Sequence, residues 1–81
     1  MEAGMTYTLT PDLAKATRFA NEEAARIAVT EFRDAEMERD PYAVYAVRYD
    51  CSFLDLSFTA NLEPAPGMRG GTGYLTTEET P

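Results

Sequence analysis

The stretch from Asn21 to Arg39, NEEAARIAVTEFRDAEMER, is the only segment with a sustained helical period. With each residue turned by about 100°, Ala24, Ala25, Ala28, Val29, Phe32 and Ala35 share one face. Glu22, Glu23, Arg26, Thr30, Arg33 and Asp34 share the other. Asn21 has the short acceptor side chain of an N-cap, and Glu22 and Glu23 put negative charge where the helix dipole favours it. Arg39 puts a cation at the other end, and Pro41 stops the helix. The apolar face is made of small residues with Phe32 as its anchor, so it can lie close against a sheet.

The rest of the chain supplies strands for that sheet. Met5 to Leu9 alternates apolar and polar residues with period two, the pattern of a half-buried strand. Pro11-Asp12 makes a turn, and two readings compete for Ala14 to Phe19. Either Lys15 to Phe19 is a second strand paired with the first, or Thr10 caps a helix that begins at Pro11. The fresh cap at Asn21 favours the hairpin. Tyr42 to Tyr49 is apolar on both faces, as a central strand would be. Asp50-Cys51-Ser52 reads as a turn. Beyond it Leu54, Leu56, Phe58, Ala60 and Leu62 alternate with polar residues, which predicts a strand over Phe53 to Leu62 with those five facing the core.

These elements predict an α+β fold, with a small antiparallel β-sheet of three to four strands and one long amphipathic helix packed on one face. The order is ββαββ, or βαββ if the second strand fails. Residues 1–62 make the domain. Residues 63–81 are rich in Pro and Gly and read as a tail or loop, with Tyr74 to Thr77 returning as a short edge strand. Met1 to Gly4 reads as a loose leader and Glu78 to Pro81 as a frayed end. A chain of 81 residues with 44% apolar content can bury one core. Its stability should be on the order of 4–8 kcal/mol. Cys51 is the single cysteine, so no intramolecular disulfide forms, which is compatible with a reducing cytoplasm. Neither a signal peptide nor a transmembrane run is visible.

Candidate chemistry is sparse. The chain has no histidine, which removes the commonest general base and metal ligand and excludes a serine–histidine triad for Ser52 or Ser57. Cys51 has no evident activating base. Gly70-Gly71-Thr72-Gly73 resembles a phosphate loop but lacks the following lysine and helix. The pairs Glu36/Glu38 and Asp50/Asp55 offer carboxylate dyads on paper, yet exposed carboxylates of this kind are commonly just solvated. No spacing matches a calcium loop. No catalytic residue, cofactor or metal is assigned, and the chain reads as a non-enzyme.

The charge is more informative. Fourteen acidic residues stand against 7 basic ones, a net charge of −7. That opposes direct binding to nucleic acid or to an anionic membrane and favours a basic partner. Glu31, Asp34, Glu36, Glu38 and Asp40 lie within ten residues, offset only by Arg33 and Arg39, and are the candidate partner-binding residues. Such a row can act as an electrostatic decoy for a Lys/Arg groove that another protein uses for nucleic acid. The plainer alternative is a solvated helix face, with Glu22 and Arg26 as an i,i+4 pair. Tyr42, Tyr45 and Tyr49 lie beside the row, either as interface anchors or as sheet packing.

With the acidic run Glu31 to Asp40 and the strand segments Tyr42–Tyr49 and Phe53–Leu62, the chain resembles the anti-CRISPR proteins of phages and other mobile elements, and its segment Ala16 to Ala24 is similar to the strand-then-capped-helix entry of many small phage proteins. The resemblance implies an inhibitor that binds a CRISPR surveillance complex of the Cascade kind and blocks target DNA without catalysis, in the cytoplasm of the host cell. It transfers no binding residue. The alternative is a small phage or bacterial accessory interaction domain, monomeric or homodimeric through a sheet edge.

Overall fold

The helix forms where its caps and period place it. Asn21 Oδ1 accepts from the Ala24 amide at 2.8 Å, and α1 (Glu22–Arg39) runs to a cap at Asp40, whose amide donates to the Glu36 carbonyl. Ala25, Ala28, Val29 and Phe32 are buried, whereas Ala24 is half-buried and Ala35 exposed at the margins of the stripe. Glu36 stands in line with Ala25, Val29 and Phe32, so the buried stripe turns polar in the last helical turn.

The computed structural model describes residues 5–79. Around α1 stand β1 (Met5–Thr10), β2 (Tyr45–Cys51), β3 (Phe58–Pro64) and β4 (Gly73–Glu79), with a 3-10 turn at Leu13–Lys15. The four strands form one open antiparallel sheet in the order β1-β4-β3-β2. The helix lies on one face, mainly over β3. Val29, Phe32, Tyr45, Ala60, Leu62 and Leu75 make the core, with Leu62 and Leu75 fully buried. By the strand alternation, Arg48, Asp50, Asn61, Glu63, Tyr74 and Thr76 lie on the opposite, polar face.

The chain order is therefore β-α-β-β-β, and several expected strands fall differently. Lys15 to Phe19 is not a strand paired with β1. Asp12 caps the 3-10 turn, accepting from the Ala14 amide at 2.9 Å, and the chain then runs extended. The cause lies in the sheet. β3 and β4 are paired only at Asn61↔Tyr74 and Leu62↔Gly73 and leave a gap beyond. The extended segment fills it. The Thr17 amide donates to the Leu75 carbonyl at 3.1 Å, and Phe19 and Phe58 exchange backbone hydrogen bonds of 2.8 and 2.9 Å.

Tyr42 to Tyr49 was expected at the centre of the sheet, but β2 begins at Tyr45 and is an edge strand. The central place goes to β4, which the sequence placed in a tail and at an edge; its threonines and glycine carry little apolar signal, yet Leu75 is fully buried. The turn expected at Asp50-Cys51-Ser52 sits further on. β2 continues to Cys51, and the Ser52 amide meets the Ser57 carbonyl at 2.8 Å to close a loop. Leu54 and Leu56, expected in the core, lie in that loop at 98% and 68% exposure. Period-two spacing runs on through the loop without marking the chain reversal, so the sequence pattern alone merges loop and strand. The leader Met1 to Gly4 and the terminal Thr80-Pro81 lie outside the described residues. Glu78 and Glu79, read as frayed, have their backbones in β4 opposite Thr6 and Met5.

The glycine-rich run is a packing device. Gly70 has φ +140, and a Cβ there would meet the Tyr45 ring at 2.6 Å. Only glycine combines that backbone conformation with so close an approach. The Gly71 amide then donates to the Tyr45 hydroxyl at 3.2 Å.

Candidate functional site: the outer face of the helix

Helical spacing sorts the acidic residues into two groups. Glu23, Ile27, Glu31, Asp34 and Glu38 follow one another at steps of four, four, three and four, and all are exposed. They form one outward stripe about 22 Å long at 1.5 Å per residue. Glu23, Asp34 and Glu38 have no ion pair among the described residues. Glu31 lies beside the Tyr7 hydroxyl; burial first, then the Glu31 charge and hydrogen bond, push the Tyr7 pKa above its ordinary value.

Three of the cations nearby are already engaged. Arg26 binds Glu22 at 2.7 Å and lies over the Tyr49 ring, 5.9 Å from its centroid. Arg39 pairs with Glu36, and Arg69 with Asp40 at 3.6 Å. Arg33 has no ion pair among the described residues, and helical spacing puts it on the flank of the helix beside Thr30 and Met37, so the stripe itself carries only negative charge.

The five residues singled out from the sequence are thus divided. Glu31, Asp34 and Glu38 stand together on the outer face. Glu36 is half-buried, where it accepts the Tyr45 hydroxyl at 3.0 Å. Asp40 is half-buried at the helix end and accepts from the Tyr42 amide at 3.0 Å. Glu36 ties the last helical turn to β2, and Asp40 holds the turn that follows the helix. Sequence reasoning missed Glu23 and Ile27, although the four-residue step back from Glu31 pointed to both. Of the tyrosines, Tyr45 is buried in the core, Tyr49 is half-buried, and Tyr42 is 59% exposed against Arg69.

The Glu36/Glu38 pair separates. Glu36 turns inward and Glu38 outward. Asp55 is held by Ser57, through its Oγ at 2.6 Å and its amide at 3.0 Å, which keeps the carboxyl below the usual aspartate pKa. Cys51 is free and exposed. A shallow hollow of about 290 Å³ lies between the Leu13 turn and the base of the β2–β3 loop, lined by Arg18, Asp50, Ser52, Ser57 and Tyr74 among others. Among the described residues no cluster of His, Cys, Asp or Glu is arranged to hold a metal ion, and no helix is long and apolar enough to cross a membrane. At the loop tip Phe53 and Leu54 are 96% and 98% exposed.

The chain matches no protein-family model, and no curated protein or solved structure proved similar to it. Function must therefore be argued from the surface itself.

Proposed function

We propose that the chain is a non-enzymatic inhibitor of the anti-CRISPR kind, whose acidic helix face occupies a basic nucleic-acid groove of a CRISPR surveillance complex and excludes target DNA. The observation that carries this reading is the stripe Glu23, Glu31, Asp34 and Glu38, outward on a helix where Arg26 and Arg39 are paired with other carboxylates and Arg33 stands off the stripe. A fixed row of carboxylates attracts a Lys/Arg groove, speeds encounter and disfavours acidic partners. Its density is modest. Duplex DNA carries a charge every ~1.7 Å of axis, whereas four carboxylates here span about 22 Å. A single helix therefore covers a few phosphate positions of a groove, and shape must supply the remaining affinity.

The test is direct binding of the chain to a purified surveillance complex, with and without target DNA. Reversing Glu31, Asp34 and Glu38 to lysine replaces attraction by repulsion and should weaken binding by orders of magnitude. Raising salt from about 50 to 500 mM should weaken the wild type, as the Debye length shrinks several-fold. A folded triple variant that binds and competes with DNA as well as wild type would sink the reading.

A second reading, an accessory interaction domain, draws on the exposed apolar tip at Phe53 and Leu54 together with the open edge at β2.

A further inference from the structure

The outer edge of β2 has the marks of a self-pairing strand. Its ladder with β3 is continuous from Tyr45↔Pro64 to Cys51↔Phe58, without bulge, and β2 contains no proline or glycine. Natural edges are usually blunted by such breaks or by charges that repel another strand. The orientation of its backbone groups follows from the two ends of the ladder. The Ser52 amide donates to the Ser57 carbonyl, and the Ala65 amide to the Val44 carbonyl. Even-numbered residues of β2 thus bond to β3, and Val47, Tyr49 and Cys51 turn their N–H and C=O groups outward. None of these outward groups meets a partner among the described residues.

Two charges select the partner. Arg48 and Asp50 flank Tyr49 on the polar face, both exposed and neither in an ion pair among the described residues. We propose that β2 pairs with β2 of a second copy of this chain, antiparallel, about a two-fold axis at Tyr49. Tyr49 then exchanges hydrogen bonds with Tyr49 of the second copy, and Val47 does so with Cys51. Arg48 of each copy falls opposite Asp50 of the other, at the non-hydrogen-bonded pairs where side chains approach most closely. Moving the axis by one residue sets Arg48 against Arg48 or Asp50 against Asp50. Charge therefore fixes the register as well as the partner.

The same register accounts for the exposed tip. It brings Phe53 and Leu54 of each copy level with Tyr45 and Val44 of the other, close to the exposed Tyr42. It also sets both helices on one face of a continuous sheet. Because each helix lies mainly over β3, the two axes stand roughly 14 Å apart, three strand spacings. Two acidic stripes then share one side of the assembly. The pairing does not rest on the inhibitor reading. An interface built on one strand edge and a loop tip belongs to the small, weak class, with a Kd on the order of 10 µM or weaker.

Sedimentation equilibrium of the intact chain up to about 1 mM, the scale of weak association, reads the dimer directly. Arg48→Asp alone and Asp50→Arg alone should each weaken dimerisation at least about tenfold, by setting like charges opposite each other. The double swap, Arg48→Asp with Asp50→Arg, should restore it. Circular dichroism confirms the fold of each variant. As an independent probe of register, Val47→Cys should form a covalent dimer with the native Cys51 of the second copy on mild oxidation. The paired Cα atoms stand about 5.5 Å apart, within disulfide range, whereas residues 47 and 51 of one strand lie ~13 Å apart. A wild type monomeric throughout the range overturns the proposal. So does a dimer indifferent to the single swaps, a double swap that fails to restore it, or a folded Val47→Cys that gives no covalent dimer. The measurement needs no basic partner, so failure of the inhibitor reading leaves it standing.

Discussion

Tyr45 donates its hydroxyl proton to Glu36 Oε1 across 3.0 Å and joins the first residue of β2 to the last turn of α1. The same hydroxyl accepts from the Gly71 amide, and the ring lies 5.3 Å from that of Phe32, tilted by 59°. One side chain thus links the helix, the edge strand and the approach to β4. Tyr45→Phe keeps the ring and removes both hydrogen bonds. Expected destabilisation is about 1–3 kcal/mol, because a half-buried carboxylate and an amide each lose a partner. Phe32→Ala empties the adjoining site and should cost about 3–5 kcal/mol. In a domain of this size each kcal/mol lowers Tm by about 4–8 °C, so thermal melts separate the two variants. A Tyr45→Phe melt within 2 °C of wild type, a shift well under ~1 kcal/mol, would show that the hydroxyl contributes nothing.

Gly70 and Gly67 form a matched pair for testing why glycine is present. Both have positive φ, +140 and +78, but only Gly70 faces an obstacle, the Tyr45 ring. Gly67→Ala should cost about 1 kcal/mol, the ordinary left-handed penalty. Gly70→Ala should cost more, about 2–3 kcal/mol, since backbone strain and displacement of Tyr45 add together. Equal losses in urea titrations would mean that the close approach is relaxed in solution.

The helix was legible because its information is local. Asn21, Glu22, Glu23, the alanine stripe and Pro41 each act within a few residues, and α1 ends within one residue of where they place it. The sheet order was not legible, because it depends on pairings far apart in sequence. β1 meets β4 across most of the chain, and the wedge at Thr17 to Phe19 makes sense only once β3 and β4 have parted. Local apolar pattern misled twice. Leu54 and Leu56 advertise a core that the chain reversal denies them, while β4 hides its one buried leucine among threonines. At the candidate site the acidic run was visible, but its division was not. Whether Glu36 faces water or Tyr45 depends on where β2 lies.

Tyr7 gives a pH signature. Burial and the neighbouring Glu31 carboxylate favour its neutral form and raise its pKa above 10.0. The folded chain therefore holds this proton more tightly than the unfolded chain. The resulting stabilisation is fully present below pH ~10 and is lost as pH rises through the folded-state value. Wild type should lose stability more steeply than Tyr7→Phe above pH ~10, by urea melts at stepped pH. Glu31→Gln should lower the Tyr7 value while leaving the larger burial contribution, as read by ultraviolet titration. Identical pH profiles for wild type and Tyr7→Phe would refute the shift.

Leu56 sits at φ +58 in the left-handed region, where a side chain costs about 1–2 kcal/mol. Its side chain is 68% exposed and recovers little by burial. The loop holds it there: the Leu56 amide donates to the Ser52 carbonyl at 2.8 Å, and Asp55 binds the Ser57 amide and hydroxyl. Leu56→Gly relieves the strain but loosens the unfolded chain by about 0.5–1 kcal/mol. The balance is a gain in stability of roughly 0.5–1 kcal/mol, measured by equilibrium unfolding. If the loop tip packs against a second copy, the same substitution should weaken the dimer while stabilising the monomer. Opposite signs in the two measurements would show that the strained leucine serves association. A variant less stable than wild type would show instead that Leu56 packs against its own chain.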